Sequence, residues 1–205
     1  MYLFLGLSGT GKTIAAELVK KILKKSDIQG TIIHPYQEGK LFLERVYGLP
    51  YGALDKPEYK ERLVLDLNNK PIVWENGHTP TFQDLMVKEF FFREKVDPYF
   101  SSRCLKENLD NCHVGVCCGV ETPLVHGVRK KEEIDITLSW AKQENCPLKV
   151  ICLERHTNKK KDSDSYLVDN LNYIQNQNID VYTISNDSSL LVLQQFLEEI
   201  VDLEI

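Results

Sequence analysis

The stretch Gly6-Leu7-Ser8-Gly9-Thr10-Gly11-Lys12-Thr13 fits the pattern G-x-x-x-x-G-K-[ST], and an apolar run, Tyr2-Leu3-Phe4-Leu5, precedes it. A helical pattern beginning near Lys12 follows, with Ile14, Ala15, Leu18, Val19, Ile22 and Leu23 as its apolar positions. Strand, glycine-rich turn and helix in that order constrain the fold more than any other stretch. The glycines let successive backbone N–H groups turn inward around an anion, and the helix N-terminus adds its partial positive charge. Lys12 supplies a mobile ammonium for outer phosphates, and Thr13 offers its hydroxyl to magnesium. The competing reading, a glycine turn that happens to carry a lysine, loses force because both flanking elements are in place. Ser8, Gly9, Thr10, Gly11, Lys12, Thr13 and Ile14 are therefore the expected contacts to a nucleoside triphosphate.

The rest of the chain alternates short apolar runs with helical patterns. Residues 31–34 read as a second strand, broken by Pro35, and residues 38–47 as a helix stopped by Gly48. A short helix is expected after Pro57. Thr79 or Thr81 caps a further helix, since Thr81-x-x-Asp84 is close to a capping box, with Leu85, Met86, Phe90 and Phe91 as its apolar face. Asp97-Pro98 restarts a helix carrying Phe100, Cys104, Leu105 and Leu109. The nearly continuous apolar run 113–120 reads as a central parallel strand ending at Glu121. A helix over about 130–144, a strand over 148–153, a polar segment, a helix through Leu167, Leu171 and Ile174, a strand over 179–184 and a final helix complete the order. Such alternation predicts an α/β fold with a parallel sheet of about five strands and right-handed crossovers. The expected organisation is one domain, 1–205, with a helical insertion at 35–110 and a lid-like segment at 156–166.

Composition narrows the partners. Net charge is −5, so no global field favours a nucleic-acid backbone, whereas a small anionic ligand needs only a local site. The six cysteines (104, 112, 117, 118, 146 and 152) include no C-x-x-C pair, and several lie in apolar segments, which suits buried free thiols in a reducing compartment. Adjacent Cys117 and Cys118 would point to opposite faces of a strand, which favours packing over a metal cluster. No secretory pattern and no apolar run near 18 residues is present, and a cytoplasmic protein is expected, in the host cytoplasm if the chain is viral.

In a doubly wound sheet, ligands gather beyond the carboxyl ends of the strands. That rule selects the glycine-rich loop, the stretch from Glu121 to Arg129, Arg155 and Asn186. Phosphoryl transfer relies on positioning and on positive charge around the transferring group, so Arg93, Arg129 and Arg155 at expected element ends are candidates.

At these residues the sequence resembles the phage-type deoxynucleoside monophosphate kinases, a P-loop kinase family, and more distantly phosphomevalonate kinase. The likeness runs through most of the chain at low identity. Lys40 followed by Gly48-Leu49-Pro50 is similar to the family's "P-L-K…F-G-L" helix, and Thr81-Phe82-Gln83-Asp84-Leu85-Met86 to "V-R-x-L-L-Q". Gly127-Val128-Arg129 with Glu133 resembles "D-V-R-F-P-N-E", residues 150–155 its next strand and terminal arginine, and Asn186-Asp187-Ser188-Ser189-Leu190 its "N-D-G-S-L". The resemblance implies a three-layer P-loop kinase fold and transfer of the γ-phosphoryl group of ATP, with Mg²⁺, to a deoxynucleoside monophosphate. It implies donor contacts from Lys12 and Thr13, and catalytic charge from Lys12, Arg93, Arg129 and Arg155. Acceptor contacts would come from Lys40, Gln83, Arg93 and Arg129, and the adenine pocket from Asn186, Asp187 and Ser188. Two departures stand out. Gly127 replaces an aspartate that would organise the water shell of the metal, with Glu121 as the expected substitute, and Gln83 replaces an arginine. Another acceptor, such as a modified base in DNA or a phosphomevalonate-like phosphate, and a nucleotide-binding module without catalysis remain open, as does a homodimer.

Overall fold

The computed structural model describes the chain except residues 8, 113–120, 156–164 and 203–205. It divides into two compact units, one made of Met1–Pro35 with Leu105–Ile205 and the other of Tyr36–Cys104.

The first unit is built on five parallel strands: β1 (Tyr2–Gly6), β2 (Gln29–Ile33), β3 (Glu121–His126), β4 (Lys149–Glu154) and β5 (Val181–Ser185), in the order β2-β3-β1-β4-β5. β1 is the central strand, buried along its whole length. Its alternate side chains feed two cores, as the period of a strand requires. Leu3 and Leu5 join Val125, Val150 and Cys152 on one face, and Tyr2 and Phe4 join Leu124, Ile151 and Leu153 on the other. Helices α1 (Lys12–Lys25) and α8 (Leu190–Asp202) cover the second face through Ala15, Val19, Leu193 and Leu197. The first is covered by α6 (Lys131–Gln143) and α7 (Ser165–Gln175) through Ile134, Trp140, Leu167 and Ile174. This is the three-layer α/β arrangement with a five-stranded parallel sheet that the sequence leads one to expect.

The strand expected over 113–120 falls outside the described residues, and β3 begins at Glu121, where that strand was expected to end. Pro123 argues against a strand in sequence terms, because it cannot donate to a ladder, yet it pairs here with Thr31. Glu121 opens β3 opposite Gln29, and its carboxylate accepts from Gln29 Nε2 at 3.0 Å and Thr31 Oγ1 at 3.1 Å.

The second unit holds α2 (Gln37–Val46), a 3-10 turn (Ala53–Asp55), α3 (Pro57–Lys60), α4 (Phe82–Val96) and the start of α5 (Phe100–Asp110). Leu43, Leu54, Val64, Phe82 and Met86 form its small core. Buried Glu44 braces the turn, accepting from Gly52 N–H at 3.0 Å and Leu54 N–H at 2.8 Å. The Thr81–Asp84 capping box is present: Asp84 N–H donates to Thr81 Oγ1 at 3.3 Å, and Thr81 N–H to Asp84 Oδ2 at 2.9 Å. Phe91 does not belong to an apolar core face as expected, since Phe91 and Phe92 are 64 and 65 % exposed. The lid-like segment lies largely outside the described residues, and its last two positions, Ser165 and Tyr166, belong to α7.

Candidate active site

β1 delivers the chain into the glycine-rich loop through a backbone that only glycine tolerates. Gly6 has φ +141°, and a Cβ there would lie 2.4 Å from Leu153 O and 2.6 Å from Thr10 Oγ1. The loop then folds on itself: Thr10 N–H and Oγ1 both donate to Leu7 O, at 3.3 and 2.9 Å. Gly11, at φ +93°, starts α1, and its carbonyl accepts Ala15 N–H at 2.9 Å. Lys12 Nζ curls over the loop, donating to Gly6 O at 2.7 Å and Leu7 O at 2.6 Å. The ammonium thus lies against the two carbonyls at the entry of the loop. Thr13 is half-buried and Ile14 half-exposed in the first turn; Ser8 lies outside the described residues.

The far ends of β4 and β5 and the start of α7 reach this loop. Asn186 Nδ2 donates to Thr10 O at 2.7 Å, Arg155 Nη1 approaches Gly9 O at 3.5 Å, and Tyr166 Oη donates to Gly6 O at 3.4 Å. Asn186 is thus seated against the loop itself. Asp187 accepts Ser185 Oγ at 2.8 Å, and Ser188 is exposed. Below the loop, burial and Glu154 push the Cys152 thiol up to about 11 despite the opposing charge of Lys12.

Beside β1, the end of β3 leads through His126, Gly127 and Val128 to Arg129. Buried Glu133 of α6 accepts from Arg129 N–H at 2.7 Å and Lys130 N–H at 3.1 Å, and Asn170 Nδ2 of α7 donates to Arg129 O at 3.0 Å. Both sides of the Arg129 peptide are pinned while its side chain is exposed. Gly127, where the resemblance expects a carboxylate, has φ +82°, and a Cβ on it would lie 2.4 Å from His34 Nε2. The His34 ring, just past β2, meets His126 edge-on at 4.9 Å between centroids. An imidazole therefore lies against Gly127. Glu121 is not its substitute. It stands at the opposite end of β3, five residues or about 16 Å from His126, and its oxygens are engaged by Gln29 and Thr31.

A hard oxygen from Thr13 at the helix start suits Mg²⁺, whose other ligands would be phosphate oxygens and water. Among the described residues, no three metal-binding side chains come together.

In the second unit, Lys40 is buried and its Nζ lies 2.6 Å from Asp55 Oδ1. Burial and the charge of Lys40 lower the Lys60 ammonium below its ordinary value. Arg93 Nε lies 2.5 Å from Glu89 Oε1, with its guanidinium carbon 5.2 Å from the Phe42 ring centroid and 4.9 Å from that of Phe100. Burial holds the neighbouring Tyr36 hydroxyl well above the usual tyrosine range, with Glu89 adding to the effect. Gln83 is exposed on α4.

Sequence reasoning missed His34, Tyr166 and Asn170. His34 follows a strand and so satisfied the strand-end rule; Tyr166 and Asn170 carried no signal, because only the packing of α7 brings them to the loop and to Arg129.

No protein-family model matches the chain, and comparison with curated proteins finds no match. Solved structures similar to it include the Mycobacterium tuberculosis APS kinase CysC in complex with AMPPNP and APS, at 13% identity and TM-score 0.47 over 98% of this chain and 95% of that one. A cysteine-to-alanine variant of the same kinase gives 12% and 0.46 over 98% and 94%. APE1195 gives 11% and 0.47 over 100% and 95%. Similarity at this level leaves the activity to be argued from the site's own residues.

Proposed function

We propose that this chain transfers the γ-phosphoryl group of ATP, with Mg²⁺, to a nucleoside monophosphate, and in particular to a deoxynucleotide. The observation that carries the reading is the loop: a glycine-rich turn at the carboxyl end of the central strand, opening a helix, with Lys12 Nζ poised over it. Phosphoryl transfer asks a protein chiefly for positioning and positive charge. Lys12 meets the donor phosphates, Thr13 supplies the hydroxyl for magnesium, and Arg129 and Arg155 neutralise charge on the transferring group. Lys40, Gln83 and Arg93 bind the acceptor. An ammonium has three N–H donors, and Asp55 is the one acceptor within reach of Lys40 among the described residues, which leaves capacity for a phosphate.

A second reading keeps the donor and changes the acceptor to a hydroxyl, on a small molecule or on a modified base in DNA. His34 at the strand ends favours it, because a hydroxyl must lose a proton on transfer and an imidazole can take one.

A coupled ADP-release screen over ribo- and deoxynucleoside monophosphates, modified pyrimidines and hydroxyl acceptors tests both. Turnover is expected with at least one deoxynucleotide, falling by several orders of magnitude in Lys12→Ala. No ADP formation with any monophosphate would refute the first reading, and undiminished turnover in Lys12→Ala would refute the site.

A further inference from the structure

Asn186 has a place in this site that the resemblance does not imply. Its backbone N–H donates to Glu154 O at 2.8 Å, continuing the ladder in which Glu154 pairs with Ser185, so the residue is fixed by the sheet. Its side chain turns toward the glycine-rich loop, where Nδ2 lies 2.7 Å from Thr10 O. A carbonyl can face only the donor end of the amide, which sets the orientation of the side chain. Gly11 records the same approach independently: a Cβ there would lie 2.5 Å from Asn186 Nδ2. Asn186 therefore fills the space that a side chain at Gly11 would need.

The peptide joining Thr10 to Gly11 is trans, so its C=O and N–H point in opposite directions. Holding Thr10 O against Asn186 directs the Gly11 N–H away from Asn186. We propose that Asn186 is a positioning residue for the phosphate-binding loop: it holds the Thr10–Gly11 peptide so that the Gly11 N–H faces the bound polyphosphate. The inference rests on the reading of residues 6–13 as a polyphosphate-binding loop. It assigns Asn186 to the phosphates and not to the base.

The two roles separate when the base is removed from the ligand. The test compares the full chain with Asn186→Ala and with the isosteric Asn186→Asp, whose carboxylate cannot donate to Thr10 O. Affinities for Mg²⁺–tripolyphosphate, ATP and GTP are measured by calorimetry, and the Gly11 amide resonance is followed by NMR. One amide donor to a charged oxygen corresponds to roughly a ten- to hundredfold change in affinity. Both variants are expected to weaken all three ligands by about that factor alike, to leave the ATP-to-GTP ratio unchanged, and to lose the shift of the Gly11 amide on tripolyphosphate addition. If Asn186→Ala fails to fold, Asn186→Asp carries the comparison. Wild-type affinity of a folded variant for tripolyphosphate, or a loss confined to one base, would overturn the inference and leave the loop reading intact. A wild-type chain that does not bind tripolyphosphate would overturn both.

Discussion

Introducing a carboxylate at residue 127 is the sharpest test of the loop's surroundings. The Cβ added by Gly127→Asp would fall 2.4 Å from His34 Nε2, 2.6 Å from its Cδ2 and 3.1 Å from its Cε1, so the ring must move. A side chain at φ +82° also costs about 1 kcal/mol in backbone strain, at the low end because aspartate tolerates the left-handed region. Displacing the imidazole forfeits its edge contact with His126, about 1 kcal/mol, and crowding adds roughly 1 kcal/mol more. The expected loss is about 3 kcal/mol. In a His34→Ala background the obstacle is gone, and the loss should fall to about 1 kcal/mol, leaving a coupling of about 2 kcal/mol. Urea unfolding followed by the fluorescence of Trp140, buried in α6 of the same unit, measures it once Trp74 is replaced by phenylalanine. A denaturant slope of roughly 2 kcal/mol/M converts the single-variant loss to a midpoint shift near 1.5 M. Gly127→Ala should behave much as Gly127→Asp, since the Cβ makes the collision. Equal losses in both backgrounds would refute the placement of His34 over Gly127; no loss in either would refute the strain argument as well.

Two further outcomes follow from titrating groups. The Thr81 backbone N–H, and then its hydroxyl, hold the Asp84 carboxyl below the usual range, with His78 adding a smaller effect. The folded value lies under the unfolded one, so this stabilisation is complete above the ordinary carboxylate range and is lost as pH falls through the folded value. Asp84→Asn should therefore flatten the acid limb of the stability curve of the full chain below about pH 5; an unchanged limb would count against the cap. The Cys152 and Cys112 thiols, both pushed up to about 11 mainly by burial, should resist a thiol reagent at pH 8 in the native protein. Among the described cysteines, half-buried Cys146 should react first, a ranking that mass spectrometry of labelled peptides reads directly.

What the sequence made legible was local. The glycine-rich loop, the Thr81–Asp84 cap and the Gly48 stop are each written within a few residues, and each is present. The strand Glu121–His126 was not legible because Pro123 breaks a strand pattern, and only the pairing with β2 reveals that the ladder tolerates the proline. The exposure of Phe91 and Phe92 has a similar origin: three aromatics in a row cannot share one helix face, and the small core of the second unit is filled by Phe82 and Met86. The site divides the same way. Lys12 and Thr13 are named by the motif, whereas the imidazole over Gly127 and the amide against Thr10 join residues far apart in sequence, which no local pattern encodes.

The bond between Asn186 and Thr10 spans 176 positions, and that separation gives the loop a history during synthesis. The ribosome makes the glycine-rich segment well before the donor that seats its Thr10–Gly11 peptide, which arrives only with the end of β5. A nascent chain stalled before residue 186 carries every residue of the motif without that amide. Nucleotide added to such stalled chains should gain its full grip late and in a single step, as the fifth strand clears the exit tunnel and docks beside the fourth.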